Sequence, residues 1–139
     1  MTTDGPATSE GAPKPDTDRC PCLSGETYGA CCGPFHRGRE SAPTAERLMR
    51  SRYSAFAVGD AAYLLATWHP STRPASLELD PADRWFRLDI LDVVRGGMLD
   101  TEGTVEFEAR FRGDDGAHVL RERSTFLRQK NRWLYVEAV

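Results

Sequence analysis

The amino-acid sequence predicts an α+β fold, with helices covering one face of an antiparallel sheet and a small metal-binding module ahead of them. Three observations predict it. All four cysteines lie between positions 20 and 32 of a 139-residue chain. The stretch that follows, to about residue 70, carries apolar residues at helical spacing. From Leu88 onward the spacing changes to a period of two, with turn residues between the runs. Helices first and a meander after them place the helices together on one sheet face.

Residues 1 to 18 read as a disordered, faintly acidic tail, because they hold no aromatic or branched aliphatic residue and are rich in Pro, Gly and acids. Residues 19 to 38 form the cysteine module. Cys20-Pro21-Cys22 and Cys31-Cys32 bring four soft ligands together through one loop, and zinc prefers such a tetrahedral sulfur set. Ser24-Gly25 and Gly29 let the chain fold back, and Gly33-Pro34 closes the module. Four protein thiolates leave no position for water, so this Zn²⁺ is structural and not catalytic. Cysteines two apart, or adjacent, do not easily bridge each other. Cross-paired disulfides remain the alternative in an oxidising compartment.

A domain from residue 39 to 139 follows. Pro43 and Thr44 suit a helix start and Gly59 its end. At about 100° per residue, Ala45, Leu48, Met49, Tyr53 and Phe56 share one face, while Glu46, Arg47, Arg50, Ser51 and Ser54 fall on the other. Arg52 breaks the pattern, in the middle of the apolar stripe. A second helix runs from an Asp60 N-cap to a stop at Pro70, with Leu64, Leu65 and Trp68 on one face. Asp80-Pro81-Ala82-Asp83 predicts a short third helix that includes Trp85.

Strands are expected over 88–94, 104–112, after Gly116, and over 133–137. Val105, Phe107, Ala109 and Phe111 share one side of the second; Leu120, Glu122, Ser124 and Phe126 share one side of the third. Gly113-Asp114-Asp115-Gly116 and Lys130-Asn131 are the connecting turns.

The spacing C-x-C-x8-C-C-G resembles the SEC-C motif, the zinc module at the C-terminus of the SecA translocation motor, which implies a protein-interaction role. Leu23 stands where that motif usually has Gly, Glu26 and Gly29-Ala30 replace its usual lysines, and Cys32 stands where SecA often has His. The element order resembles the nuclear-transport-factor-like fold, a curved sheet wrapped as a cone with helices in its concave face. Arg50-Ser-Arg-Tyr-Ser-Ala-Phe56, Tyr63-Leu-Leu-Ala-Thr-Trp-His-Pro-Ser-Thr-Arg-Pro74, Glu122-Arg-Ser-Thr-Phe126 and Trp133-Leu-Tyr-Val-Glu137 resemble the YchJ family of uncharacterised bacterial proteins. That resemblance spans nearly all of positions 20 to 139. It implies the zinc-module-plus-cone architecture and brings no activity with it.

Arg52 and Glu122 each carry a charge on a face that otherwise reads as buried, so they are expected to meet inside the cone. Tyr53, Trp68, His69, Arg73 and Trp85 complete the candidate pocket. His69 offers a general base or a helix C-terminal cap, and Arg73 an anion contact or a surface pair. No nucleophile elbow, phosphate loop or dinucleotide fingerprint occurs, so a catalytic residue is not identified and enzymatic activity is left open.

The formal charge of -3 argues against nucleic acid, although Tyr28, Phe35 and His36 could stack on bases. No run approaches the ~20 apolar residues of a membrane span, and the clustered thiols suit the reducing cytoplasm. Of two functions in view, the sequence favours the first, an interaction or adaptor role. In one, the zinc module docks a protein partner. In the other, the cone holds a small molecule or runs acid–base chemistry. A cavity of about 300 Å³ or more, lined by Trp68, His69, Arg73 and Glu122, favours the second; a filled cone with exposed aromatics on the module favours the first. A homodimer is expected from the last strand, where Trp133 and Tyr135 oppose Leu134 and Val136.

Overall fold

The computed structural model describes residues 14–139, so most of the expected tail lies outside the described residues. The part of the tail that is described is not free of the module. The N–H groups of Tyr28 and Gly29 donate to the carbonyls of Asp18 (2.8 Å) and Asp16 (3.0 Å), and Arg37 pairs with Asp16. The module therefore begins before residue 19.

After a 3₁₀ turn at Tyr28–Ala30 and the short helix α1 (Gly33–His36), the long helix α2 spans Ala45–Val58 and α3 spans Ala61–Ala66. The Thr44 side chain accepts from the Arg47 N–H and caps α2; Gly59, at φ 79, ends it in the left-handed region that glycine adopts without strain. Asp60 caps α3 by accepting from the Tyr63 N–H. Helix α3 ends at Ala66, before the expected stop at Pro70, because Thr67 and Trp68 leave the helix to meet the last strand. Trp68 forms a parallel bridge with Tyr135, and the N–H of Tyr135 donates to the Thr67 carbonyl (2.8 Å).

Four antiparallel strands follow as a meander: β1 (Arg84–Arg95), β2 (Glu102–Gly113), β3 (Gly116–Gln129) and β4 (Arg132–Ala138). The expected third helix does not form. Asp80 instead makes a turn, its carboxylate accepting from the Ala82 N–H and its carbonyl from the Asp83 N–H. Trp85 then enters β1, paired with Phe111 in register and with its ring 4.5 Å from the Phe111 ring. Bulges between Trp85 and Arg87 and between Ile90 and Asp92 bend β1, which supplies curvature. Lys130 (φ 53) and Asn131 (φ 64) make the tight β3–β4 turn.

The sheet's inner face buries Leu88, Val105, Phe107, Ala109, Ser124 and Phe126 against Ala45, Leu48, Met49 and Tyr53 of α2. The N-terminus of α2 reaches the sheet at Gly96, where a Cβ would lie 2.7 Å from the Ala45 Cβ, so glycine is required there. The outer face is polar. Glu106 takes Arg121 (3.0 Å) and Arg123 (3.2 Å), and Arg123 also reaches Asp92 (3.2 Å). Such exposed pairs contribute about 0–1 kcal/mol each, but they explain why this face needs no second helical layer. Trp133 and Leu134, consecutive on β4, are both buried within the one chain.

Candidate metal centre and cone cavity

The four cysteine sulfurs are free, buried and all within 4.8 Å of one another. Cys22 and Cys31 stand 3.6 Å apart and Cys31 and Cys32 3.9 Å apart. A tetrahedral thiolate site with metal–sulfur bonds of ~2.3 Å has sulfur–sulfur edges of ~3.8 Å, so the donor set fits a metal. The cross-paired disulfide alternative is absent. The loop that gathers the ligands turns at Leu23 (φ 64) and Gly25 (φ 95), so Leu23 takes the backbone position that a glycine would fill without strain. Sulfurs this crowded cannot all be thiolates without a cation. Hydrogen bonds from Cys20 and Cys32 push the Cys22 thiol down, whereas burial pushes Cys31 up to about 11. Binding a dication relieves that conflict and releases protons.

The module is fastened to α2. Ser54, fully buried, lies 3.3 Å from the Cys32 sulfur and 3.6 Å from that of Cys20. Arg50 donates to the Cys22 carbonyl (3.0 Å). His36 donates through Nε2–H to the Ser51 carbonyl (2.8 Å), which leaves its Nδ1 to accept from the Tyr28 hydroxyl. Ser51 and Ser54 sit on the helix face expected to meet solvent; the module covers that face, and both are fully buried. Ser54→Ala is expected to weaken metal binding about 10- to 100-fold, the usual cost of removing an outer hydrogen bond to a ligand. A competition titration against a chromogenic chelator checks this, and an unchanged affinity would leave Ser54 with a packing role only.

Burial holds the His36 imidazole below its ordinary 6.5. The folded chain thus carries it neutral, while the unfolded chain takes up a proton as pH falls through about 6.5. Its contribution to stability is complete above that pH and fades below it. Nitrogen-15 spectra are expected to show the Nε2–H tautomer and a midpoint below 6.5; a midpoint above 6.5 would contradict this.

On the opposite side of α2 lies a cavity of about 240 Å³ between the helix and the concave sheet face. Arg52, Tyr53, Trp68, Trp85 and Glu122 all line it. His69 and Arg73 do not. Because the chain at Trp68 is bridged to β4 rather than helical, its side chain and that of His69 point to different sides. His69 accepts from the Ser71 N–H (3.1 Å), and Arg73 is exposed.

Arg52 and Glu122 share the cavity without pairing: no ion pair joins them. Arg52 is 4 % exposed and Nη1 donates to the Leu64 carbonyl (2.8 Å) and the Thr67 hydroxyl (2.7 Å). Its guanidinium carbon lies 5.0 Å from the Trp68 ring centroid and 4.6 Å from that of Tyr135, so cation–π attraction replaces the expected salt bridge. Burial pulls Arg52 down to about 10, which leaves it charged at neutral pH. Glu122 accepts from Ser124 (2.7 Å) and from the Tyr135 hydroxyl (3.3 Å). Burial, and then the Glu122 carboxylate, push Tyr135 up to about 12. Tyr135 was not singled out from sequence as a pocket residue; its alternation with buried Leu134 and Trp133 gave no signal of a cavity.

A larger groove of about 430 Å³ runs along the seam of α1, α3 and β4. Several of its polar groups are already engaged: both His36 nitrogens, the Asp60 cap, and Arg132 on the Ala66 carbonyl. Tyr28 and Phe35 are buried, so the module does not present the rings expected to stack on bases.

Comparison with known proteins agrees with this architecture. The family model for the YchJ middle NTF2-like domain matches residues 44–138, and that for the SEC-C motif matches residues 17–34. A UPF0225 protein of Streptomyces coelicolor is 54% identical over 121 residues, covering 87% of this chain and 94% of the relative. One of Corynebacterium glutamicum is 52% identical, covering 84% and 93%. The solution structure of a SEC-C motif containing protein from Rhodopseudomonas palustris superposes with a TM-score of 0.74 at 36% identity, covering 86% of this chain and 96% of that one. A crystal structure of another from Psychrobacter arcticus gives 0.72 at 28% identity, covering 88% and 82%. With its SEC-C cysteine module welded to an NTF2-like cone, the chain belongs to the YchJ-type UPF0225 family.

Proposed function

We propose that this chain binds a small molecule in the cone cavity, and that its cysteine module, loaded with Zn²⁺, is the clamp that holds α2 as the cavity wall. One observation carries the reading: the polar end of the cavity is left incomplete by the protein. Arg52 is fixed through Nη1 alone, and its Nε and Nη2 make no hydrogen bond among the described residues. The Trp68 Nε1–H is buried without a partner. An unmade buried hydrogen bond costs about 1–3 kcal/mol, which the Trp68 indole bears, while the spare guanidinium donors of Arg52 stay available in a cavity walled largely by apolar side chains. The cavity is smaller than the threshold set from sequence and lacks two of its expected residues, so the polar end supports the reading and the volume does not.

Docking of a protein through the module is the second reading. Its support is Leu23, 47% exposed at the tip of the ligand loop; the module's aromatic rings are spent on α2. For a second copy of the chain, support is thinner, since Trp133 and Leu134 are already buried. No helix among the described residues is long and apolar enough to cross a membrane; a cytoplasmic site of action rests on the thiols alone.

A fragment screen by nitrogen-15 NMR tests the main reading. Hits are expected to shift the Trp68 and Trp85 indole signals and to vanish in Leu120→Trp, which fills the cavity mouth from a position 39% exposed. Hits that map to the Leu23 loop, and that Leu23→Asp removes, would favour docking instead.

A further inference from the structure

We propose that the cavity takes a neutral ligand about the size of one aromatic ring, bearing a hydrogen-bond acceptor and a donor side by side, as on the edge of a carboxamide. This rests on the cone-cavity reading above and names the ligand's chemistry.

The size follows from the volume. About 240 Å³ corresponds to roughly eight waters at ~30 Å³ each, which suits a single ring with one polar substituent. The walls at Phe56, Trp85, Phe107 and Leu120 are apolar and favour that ring.

The polar edge follows from what the protein leaves unpaired. On one side stand donors, the Arg52 Nε and Nη2, which make no hydrogen bond among the described residues. On the other stands an acceptor, the Glu122 Oε1. Its sister oxygen Oε2 already accepts from Ser124 and Tyr135, whereas Oε1 has no partner among the described residues. The guanidinium and the carboxylate are not paired, yet both line one small cavity and both contact Tyr135, Arg52 over its ring (4.6 Å) and Glu122 at its hydroxyl (3.3 Å). A group with an acceptor and a donor bridges them.

Neutrality follows from the two charges. A carboxylate would meet Arg52 favourably and Glu122 unfavourably, and an amidinium the reverse. Either ion also gives up its hydration to enter an apolar space. A neutral amide satisfies both sides and meets neither repulsion, which is discrimination by built-in mismatch.

The test titrates the zinc-loaded full chain with benzamide, benzoate, benzamidine and toluene, reading the Trp68 and Trp85 indole signals. Benzamide is expected to bind about tenfold or more tighter than benzoate or benzamidine, in proportion to the like-charge cost. In Glu122→Gln, an isosteric change, benzoate is expected to gain about tenfold on benzamide; in Arg52→Met, benzamidine gains instead. These opposite shifts have no counterpart in a purely structural role. Benzoate binding as tightly as benzamide to the unaltered chain would overturn the ligand class and leave the cavity reading standing. Toluene shifting the indoles while benzamide does not would do the same. If none of the four shifts them, the ligand class and the cavity reading both fail.

Discussion

With Zn²⁺ proposed in the cysteine module, removing it by chelation, or replacing Cys32 with serine, is expected to cost the chain its native fold. Structural zinc binding contributes about 10–16 kcal/mol in small thiolate sites, while a whole domain is stable by only about 5–15 kcal/mol. The loss is not confined to the module. Cys20 and Cys32 touch Ser54, Cys22 holds Arg50, and His36 holds Ser51, so three polar positions on one side of α2 are anchored there. Without the anchor, Ser54 would lose both of its side-chain partners and Ser51 would keep only Tyr63 and its own helix, beside an α2 whose other face must still find the sheet. Thermal melts by near-ultraviolet circular dichroism, with and without chelator, are expected to lose the cooperative transition or to fall by more than about 5 kcal/mol. A change under about 1 kcal/mol would mean that the module is an appendage.

Arg52→Met is expected to separate function from stability. Burying the guanidinium costs free energy that methionine avoids, and exchanging a buried ion for an apolar group is often neutral or favourable by 1–4 kcal/mol (roughly). Against that, Arg52 supplies a cation to the C-terminal carbonyls of α3 through Leu64. The two effects oppose, so stability is expected to change by less than about 2 kcal/mol. Neither change strips Glu122 of an ion-pair partner, because the two are not paired. Benzamide affinity, in contrast, is expected to fall about 10- to 100-fold, the worth of a charge-assisted hydrogen bond. Denaturant unfolding and an NMR titration on the same sample measure both quantities. Unfolding of Arg52→Met would show that the arginine holds the helices together and is not kept for a ligand.

The sequence made the four cysteines, the α2 stripe and the strand alternation legible because each rests on local spacing. Arg52 stood out for the same reason, as a charge inside an apolar stripe. Three features were not local. Pro81 flanked by acids reads as a helix start, but pairing with Phe111 draws Trp85 into a strand that begins at Arg84. The end of α3 is set by the bridge from Trp68 to Tyr135, residues far apart in the chain, and that bridge takes His69 out of the pocket. Ser51 and Ser54 read as a solvent face because nothing in their spacing reveals that the cysteine module covers them. Two serines where charges would serve solvent equally well were the available signal. The expected Arg52–Glu122 salt bridge followed from matching two misplaced charges; the structure instead inserts Tyr135, whose ring faces one and whose hydroxyl binds the other.

The dependence of the cavity on the metal is best measured by titrating Zn²⁺ into the metal-free chain while following the Trp68 and Trp85 indole N–H signals, which lie across α2 from the cysteines. Both signals are expected to move from unfolded-like to dispersed positions together with the module's own resonances, complete at one equivalent of Zn²⁺. Indole signals already native before any metal is added, and unmoved by it, would contradict the clamp.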